Sequence, residues 1–389
     1  MIRIKSLDVV FGDKPQPALP LIDAGKDREQ IRNETGLVVG VRQVNLEVEK
    51  GEICVLMGLS GSGKSSLLRC VNGLNPVTRG SVEIQVDGEW VDFVQASSQQ
   101  QRDIRRQTIS MVFQKFALMP WLTVAQNVAM PLELQGLEKE EIKRRVQQQL
   151  ELVGLAEWAD HKPASLSGGM QQRVGLARAL ATESEILLMD EPFSALDPLI
   201  RNQLQDELLQ LQERLKKTII FVSHDLDEAL KLGTHIAIMK DAEIVQHGRP
   251  EDIVLNPANE YVQSFVAHTN PLNVLKAASI MQPLKEIVAS ETGYSLRNDQ
   301  DYWLSADCRS IFHGDKSSQV QDFDPNMDIE KLEQQPFAVP GHLPVRQVME
   351  ICLKTGHAVM VKENGEITGV IGEQQLYHTM LGRLTSDAA

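Results

Sequence analysis

The run Gly58-Leu59-Ser60-Gly61-Ser62-Gly63-Lys64-Ser65 limits what this chain can fold into more than any other stretch. It fits G-x-x-x-x-G-K-[ST] and stands between an apolar run, Ile53 to Met57, and a segment of helical character, Ser65 to Asn72, the strand-loop-helix setting the pattern requires. Glycines let the backbone turn several N–H groups toward one point, and the first turn of the following helix adds positive potential there. The expected product is a cradle for a phosphate chain. Its candidate residues are Gly58, Leu59, Ser60, Gly61, Ser62, Gly63, Lys64, Ser65 and Ser66. Lys64 would neutralise the outer phosphates, and the Ser65 hydroxyl would complete the shell of a Mg²⁺ ion.

The surrounding pattern agrees with an α/β fold. Uninterrupted apolar runs recur at Ile53 to Met57, Ile186 to Met189, Ile219 to Val222 and Ile236 to Met239, as in strands buried on both faces of a largely parallel sheet. Polar stretches with helical apolar spacing, such as Glu138 to Leu152 and Arg201 to Leu215, separate them and read as crossover helices. The second run ends in Asp190 and Glu191, carboxylates at the sheet edge where such folds bind ligands. Asp190 suits the outer shell of the Mg²⁺, and Glu191 suits a general base that positions water. Taken alone, such a pair is more often a cap or turn. The third run ends in Ser223-His224-Asp225. A lone histidine there is commonly a packed residue, and Ser223 and Asp225 equally suit the cap of a helix from Leu226.

The 389 residues leave room for two or three domains, and a net charge of −14 argues against a general nucleic-acid binder. The four cysteines, Cys54, Cys70, Cys308 and Cys352, form no CxxC pair, which fits a reduced cytosolic setting. No signal-peptide core is present. The longest uncharged stretch, Phe116 to Leu132, contains Pro120, Gln126, Asn127 and Pro131 and makes a poor membrane span, so a soluble or peripheral protein is expected. The strand-helix alternation stops between Asn256 and Asn273, which places domains at 1–268 and 269–389. From Asn273 on, 10 Lys and Arg stand against 16 Asp and Glu. There Gln347 to Leu353 reads as a helix, Ala358 to Val361 and Ile367 to Ile371 as strands joined across Asn364-Gly365, and Gln374 to Leu381 as a helix, after a loop from Ser317 to Pro344.

Leu166-Ser167-Gly168-Gly169-Met170-Gln171-Gln172-Arg173 lies about a hundred residues after the phosphate loop and just before the acidic strand, and this order resembles the ATP-binding cassette (ABC) ATPases. The resemblance covers roughly residues 1 to 265. In it Gln114 resembles the glutamine-loop residue, Ser194-Ala195-Leu196-Asp197 the D-loop and His224 the switch histidine, with a helical subdomain at about 115–175. It implies ATP and Mg²⁺ as ligands, Glu191, His224 and Gln114 as catalytic residues, and Ser65, Gln114 and Asp190 around the metal. It also implies a head-to-tail homodimer in which Ser167, Gly168, Gly169 and Asp197 of one subunit close on the nucleotide of the other. Met170 departs from the family's frequent glutamine. An adenine-stacking aromatic is expected before the strand that leads to the loop, and Phe11 is the candidate, with core packing as the alternative. Between Phe11 and Val41 lies an insertion, Asp13 to Gly40, whose Asp23 to Thr35 part reads as a polar helix.

The N-terminal stretch with Thr35-Gly-Leu-Val-Val-Gly-Val, together with Phe113-Gln-Lys-Phe-Ala-Leu-Met-Pro120, resembles the importer ATPases for glycine betaine, proline betaine and choline. That resemblance implies an ATPase subunit at the cytoplasmic face of the cell membrane, bound to membrane permease subunits and working with a substrate-binding protein, with no nucleic acid. Lys115 to Val124, an apolar segment bearing Phe116, Leu118, Met119 and Trp121, would either meet a permease helix or be buried in the core. Another small solute (a polyamine, sugar or amino acid) is the rival within transport, and a soluble cassette protein acting on ribosomes or DNA is the rival outside it. The tail resembles half of a CBS pair, which implies an adenosine- or ion-sensing role or a purely structural one. Leu272 to Ile311 would be its other half but matches poorly.

Overall fold

The four apolar runs form strands that are buried on both faces, and the sheet they build positions the rest. In the computed structural model, which describes residues 1–114, 117–194, 196–267, 272, 274–290, 293–296, 302–325 and 327–380, the chain divides into two compact units. One comprises Met1–Ile253 with Ala258–Val262, the other Val254–Pro257 with the chain from Gln263 on.

The first unit opens with β1 (Ile2–Phe11), two short helices α1 (Leu19–Asp23) and α2 (Arg28–Thr35), β2 (Val38–Val48), β3 (Ile53–Met57) and α3 (Lys64–Val71). There follow β4 (Arg79–Val86), β5 (Glu89–Asp92), α4 (Ser98–Gln107), β6 (Ile109–Val112), α5 (Val124–Gln135), α6 (Lys139–Leu152) and α7 (Gly168–Ala181). Then come β7 (Ile186–Asp190), α8 (Pro198–Leu215), β8 (Thr218–Val222), α9 (Leu226–Leu232), β9 (His235–Lys240) and β10 (Glu243–Gly248). Helices α10 (Pro250–Leu255) and α11 (Glu260–Val266) follow. Asp23 to Thr35 is thus not one helix. Gly25, at φ 77°, breaks it, and Asp27 starts α2 with a capping box in which its side chain accepts the Gln30 N–H.

Two sheets face one another. The six-stranded sheet runs β10-β9-β3-β8-β7-β6, parallel except for β10, and every residue of β3, β7 and β8 is buried. The four-stranded sheet, β2-β1-β4-β5, is antiparallel. Ile2, Ile4, Leu7 and Val9 of β1 join Cys54 and Leu56 of β3 and Leu67 and Leu68 of α3 in one core between the sheets. This second sheet is absent from the sequence-level reading, because its strands mix buried positions with exposed charged ones and bulge repeatedly. Helices α5, α6 and α7 pack on one another.

The second unit contains α12 (Ala277–Ile280), β11 (Gln282–Pro283), β12 (Ala289–Ser290), β13 (Gly293–Ser295), β14 (Tyr302–Ser305), β15 (Ser310–His313), β16 (Lys316–Gln319) and β17 (Gln321–Asp322). It ends with β18 (Phe337–Pro340), α13 (Val345–Thr355), β19 (Val359–Glu363), β20 (Glu366–Ile371) and α14 (Glu373–Met380). The helix-hairpin-helix expected after Gln347 is present as α13, β19, β20 and α14, with Asn364 at φ 51° and Gly365 at φ 90° in the turn. Two expectations fail. Residues 317–344 are not a plain loop, since they hold the end of β16, β17 and β18, and most of the stretch before them forms the antiparallel sheet β12-β13-β14-β15-β16 rather than a second helix-hairpin-helix. These strands have two to four residues and carry Ser, Gln and Lys at exposed positions, too little apolar alternation to announce a strand.

One partly buried ion pair ties the later half of β1 to the start of β4. The Asp8 side chain is fully buried. Its Oδ2 lies 2.7 Å from Arg79 Nε, and its Oδ1 accepts the Gln43 N–H at 2.8 Å. Removing Arg79 would leave a buried carboxylate held by one backbone donor. Arg79→Ala is therefore expected to destabilise the first unit by about 2–3 kcal/mol, less than for a wholly sequestered pair because a third of the Arg79 side chain remains in solvent. Urea midpoints check this, and a loss under about 1 kcal/mol would remove Asp8–Arg79 from the determinants of the fold.

Candidate functional site

The loop after β3 is shaped by what glycine permits. Gly58, Gly61 and Gly63 adopt φ of 145°, 79° and 106°. A Cβ on Gly58 would stand 2.2 Å from Met239 O, and one on Gly63 would stand 2.4 Å from Gly40 O, so no other residue fits either place. Gly63 precedes α3 without a side-chain cap, which leaves the first N–H groups of that helix open to an anion. Lys64 turns inward, donating from Nζ to Gly58 O at 2.7 Å and Leu59 O at 3.0 Å. Burial pulls its ammonium below the usual lysine range, while the nearby Glu191 and Asp190 pull it back up. Ser62 Oγ is buried without a hydrogen-bond partner. An oxyanion in the cradle would give these donors their acceptor. Leu59, Ser60 and Gly61 are exposed on the rim, and Ser66 lies in the first turn of α3.

The acidic strand end meets this loop. Ser65 Oγ donates to Asp190 Oδ1 at 2.7 Å, and Arg69 Nη2 lies 2.9 Å from Asp190 Oδ2, so both oxygens of a wholly buried carboxylate are engaged. Glu191 follows at φ 47°, a left-handed backbone rarely taken by such a residue, with its N–H on Val222 O at 3.2 Å. Its Oε2 accepts Gln114 Nε2 at 2.9 Å and stands 3.6 Å from His224 Nδ1. Gln114, Glu191 and His224 thus converge, as Ser65 and Asp190 do.

His224 projects from a turn locked beneath it. Ser223 Oγ donates to Glu228 Oε2 at 2.5 Å and accepts the Asp225 N–H at 3.0 Å, while Asp225 caps α9 through the Glu228 N–H at 3.3 Å. Of the two capping roles foreseen, Asp225 takes the one at α9, while the Ser223 hydroxyl braces the turn and does not cap the helix itself. They leave the His224 side chain largely exposed beside Glu191.

Other expected site residues stand apart. Ser167 caps α7 by accepting the Met170 N–H at 3.3 Å, and Gly168 and Gly169 begin that helix, with Leu196 packed on Gly169. Asp197 caps α8 through the Leu199 and Ile200 N–H groups at 3.1 and 3.0 Å. Among the described residues no hydrogen bond joins Ser167, Gly168, Gly169 or Asp197 to the loop from Gly58 to Ser66. Phe11 ends β1 partly exposed, and its ring lies against Gly40, whose carbonyl in turn packs on Gly63. In the segment from Lys115 to Val124, Lys115 and Phe116 lie outside the described residues, as does Ala195 of the expected D-loop. Val124 is buried, but Trp121 is two-thirds exposed. Met119, Met130, Pro131 and Leu134 border an open, mostly apolar groove of about 410 Å³.

Three braces of the loop escaped the sequence reading. The Ala242 N–H donates to Ser62 O at 3.1 Å, Arg28 Nη1 donates to Gly61 O at 2.8 Å, and Tyr261 OH bridges the Leu59 N–H at 3.4 Å and Met239 O at 3.3 Å. Each comes from far along the chain and carries no motif. Arg69 was missed as well, although its place one turn beyond Ser65 on α3 was a signal that could have found it.

A family model described as ABC transporter matches residues 41–194. The glycine betaine/carnitine transport ATP-binding protein of Listeria monocytogenes serotype 1/2a (strain 10403S) is 42% identical over 95% of this chain and 95% of its own length. The glycine betaine/proline betaine transport system ATP-binding protein of Escherichia coli (strain K12) is 41% identical over 97% of each. Among solved structures, a dimeric post-hydrolysis state of an ATP-binding cassette bound to ADP and Pi superposes with a TM-score of 0.55 at 31% identity, covering 64% of this chain and 99% of that one.

Glu228 supplies a test of the turn under His224. Burial holds its carboxyl above the usual range, against the opposing hydrogen bonds from Ser223 and Gln205. The folded state therefore keeps a proton that the unfolded chain has lost above about pH 4.3, and this contribution to stability falls as pH rises toward the folded value. Glu228→Gln should flatten that part of the pH dependence of the urea midpoint. Parallel curves for the two proteins would mean that Glu228 does not titrate as its surroundings dictate.

Proposed function

The chain belongs to the ABC transporter family as an ATP-binding subunit, and from that premise we propose that it hydrolyses ATP to power an importer of small quaternary amines. The observation that carries the chemical part is the meeting of Lys64, Ser65, Asp190, Glu191, Gln114 and His224 at one edge of the parallel sheet. In this reading the phosphates of ATP occupy the cradle and Lys64 exchanges its carbonyl acceptors for phosphate oxygens. Glu191 orients the attacking water and accepts its proton, with its carboxylate held by Gln114 and faced by His224. Ser65, Gln114 and Asp190 offer hard oxygen donors suited to Mg²⁺, which when bound offsets phosphate charge. Phe11, separated from Gly63 by the Gly40 carbonyl, would stack on the adenine.

Ser167, Gly168 and Gly169 form an exposed helix start away from the loop of their own chain. A second copy arranged head to tail would bring them, with Asp197, to the partner's nucleotide, and ATP would then join the two copies until hydrolysis. The dimeric state of the cassette relative supports this arrangement. The groove bordered by Met119, Met130, Pro131 and Leu134, together with the exposed Trp121 in the same segment, suits a helix of a membrane permease subunit, which would hold the protein peripherally on the cytoplasmic face of the cell membrane. No helix among the described residues is long and apolar enough to cross a membrane. The solute follows from the relatives, both named for glycine betaine, and residues 269–389 serve as a CBS-like module that regulates or supports the cassette.

Glu191→Gln keeps the hydrogen bond to Gln114 but removes the proton acceptor, so kcat should fall by about 10²-fold or more while ATP binding persists. Lys64→Ala should instead weaken ATP binding itself. Steady-state hydrolysis and nucleotide titration separate the two, and near-normal turnover by Glu191→Gln would remove it as the base. For the transport part, the importer reconstituted with its permease and binding protein should take up labelled glycine betaine in an ATP-dependent way. Competition by a polyamine or sugar, and none by choline or proline betaine, would overturn the solute class.

A further inference from the structure

At the end of the parallel sheet away from the phosphate loop, four side chains with metal-ligand chemistry face one another: Glu52, Cys54, His235 and His247. Their convergence follows from register. Cys54 of β3 pairs with His235 of β9, and His247 of β10 pairs with Ala237, two residues beyond His235. Alternate residues share a face, so both histidines and Cys54 project to the same side, joined by Glu52 two positions before Cys54. One donor atom each from Glu52, Cys54 and His247 lies within 4.8 Å of the other two. The rings of His235 and His247 stand 5.5 Å apart, and His235 Nδ1 is 2.8 Å from Glu52 Oε1. No other group of three such residues gathers this closely among the described residues.

A salt bridge beside a core cysteine would account for Glu52, His235 and Cys54, but it leaves two facts over. Glu52 is only 8% exposed, and its Oε1 has the His235 imidazole 2.8 Å away as an ion-pair partner but accepts no hydrogen bond. Its Oε2 is already taken by the Glu49 N–H at 2.7 Å. A buried carboxylate oxygen with no hydrogen bond is costly unless a cation meets it. His247, on a different strand, brings an imidazole to the same point without making a hydrogen bond to Glu52 or Cys54.

We propose that Cys54, His247 and Glu52 bind a divalent transition-metal cation of the zinc class, with His235 orienting the Glu52 carboxylate. Thiolate, imidazole and carboxylate together suit zinc or cobalt, whereas magnesium and calcium prefer oxygen alone. Bonds of about 2.0–2.3 Å in a tetrahedral site put donors about 3.5 Å apart, so the present cluster need close by only about 1 Å. On binding, the Cys54 thiol gives its proton to solvent as the metal–sulfur bond forms. The site would tie together β3, which leads into the phosphate loop, and β9 with β10, whose connecting turn carries Ala242 against Ser62.

Titrating the purified full-length chain with Co²⁺ should give one equivalent bound, with thiolate-to-cobalt charge-transfer absorption, and Zn²⁺ should displace it. Cys54→Ser should abolish that absorption. His247→Ala should weaken Zn²⁺ binding by at least tenfold, and His235→Ala by about 10–100-fold, as for residues that orient a ligand. If Cys54→Ser fails to fold, His247→Ala and His247→Gln carry the decision, because His247 is exposed and circular dichroism can verify their fold. Absence of stoichiometric uptake, charge-transfer absorption that survives in Cys54→Ser, or unchanged affinity in both His247 variants would overturn the site.

Discussion

The wholly buried carboxylate of Asp190 is the constraint on which the rest of the site depends. A charge taken out of water persists only where both oxygens are met, and here they are met by Ser65 and Arg69, both on α3. That requirement fixes α3 against the end of β7 although β8 runs between β3 and β7 in the sheet. With α3 fixed, the preceding loop has one place to go. The next residue, Glu191, is turned back by its left-handed backbone toward Gln114 and His224. Strain at a single residue aims a carboxylate that a relaxed strand end would send elsewhere.

The phosphate loop is held from outside as much as from within. Its glycines admit close approach by Met239 O and Gly40 O, and its carbonyls are tied by Arg28 and Ala242. Arg28 belongs to the insertion between β1 and β2, so that insertion is part of the loop's support and not a decoration. Ala242 and Asp241 both adopt positive φ in the β9–β10 turn, which is how a backbone N–H at that turn reaches Ser62.

What the single chain leaves incomplete is informative in the same way. Its second glycine-serine helix start is capped by Ser167 and makes no hydrogen bond to the loop from Gly58 to Ser66 among the described residues. The groove bordered by Met119, Met130 and Leu134 combines adaptable apolar side chains with Arg105, Arg106 and Arg178. The buried Asn127 shapes the approach to it, taking the Met119 N–H at 2.8 Å and returning hydrogen bonds to three carbonyls, which pins an otherwise irregular segment.

The sequence by itself determined the phosphate loop, the central strands and the acidic strand end, because each is local. A glycine spacing sets a backbone path, and an uninterrupted apolar run needs cover on both faces. It also carried the helix-hairpin-helix near the C-terminus, where Asn364-Gly365 marks the turn. It did not disclose the four-stranded sheet of β1, β2, β4 and β5 or the small sheet of β12 to β16, whose short or bulged strands gain stability from pairing and not from a pattern of their own. Only the tertiary structure decided that Gln114, 77 positions before Glu191, would donate to it, that Arg69 would share Asp190 with Ser65, and that Arg28 would reach Gly61. Contacts between residues so far apart depend on strand order and register, and these are set by the packing of the whole unit, which no local stretch of residues encodes.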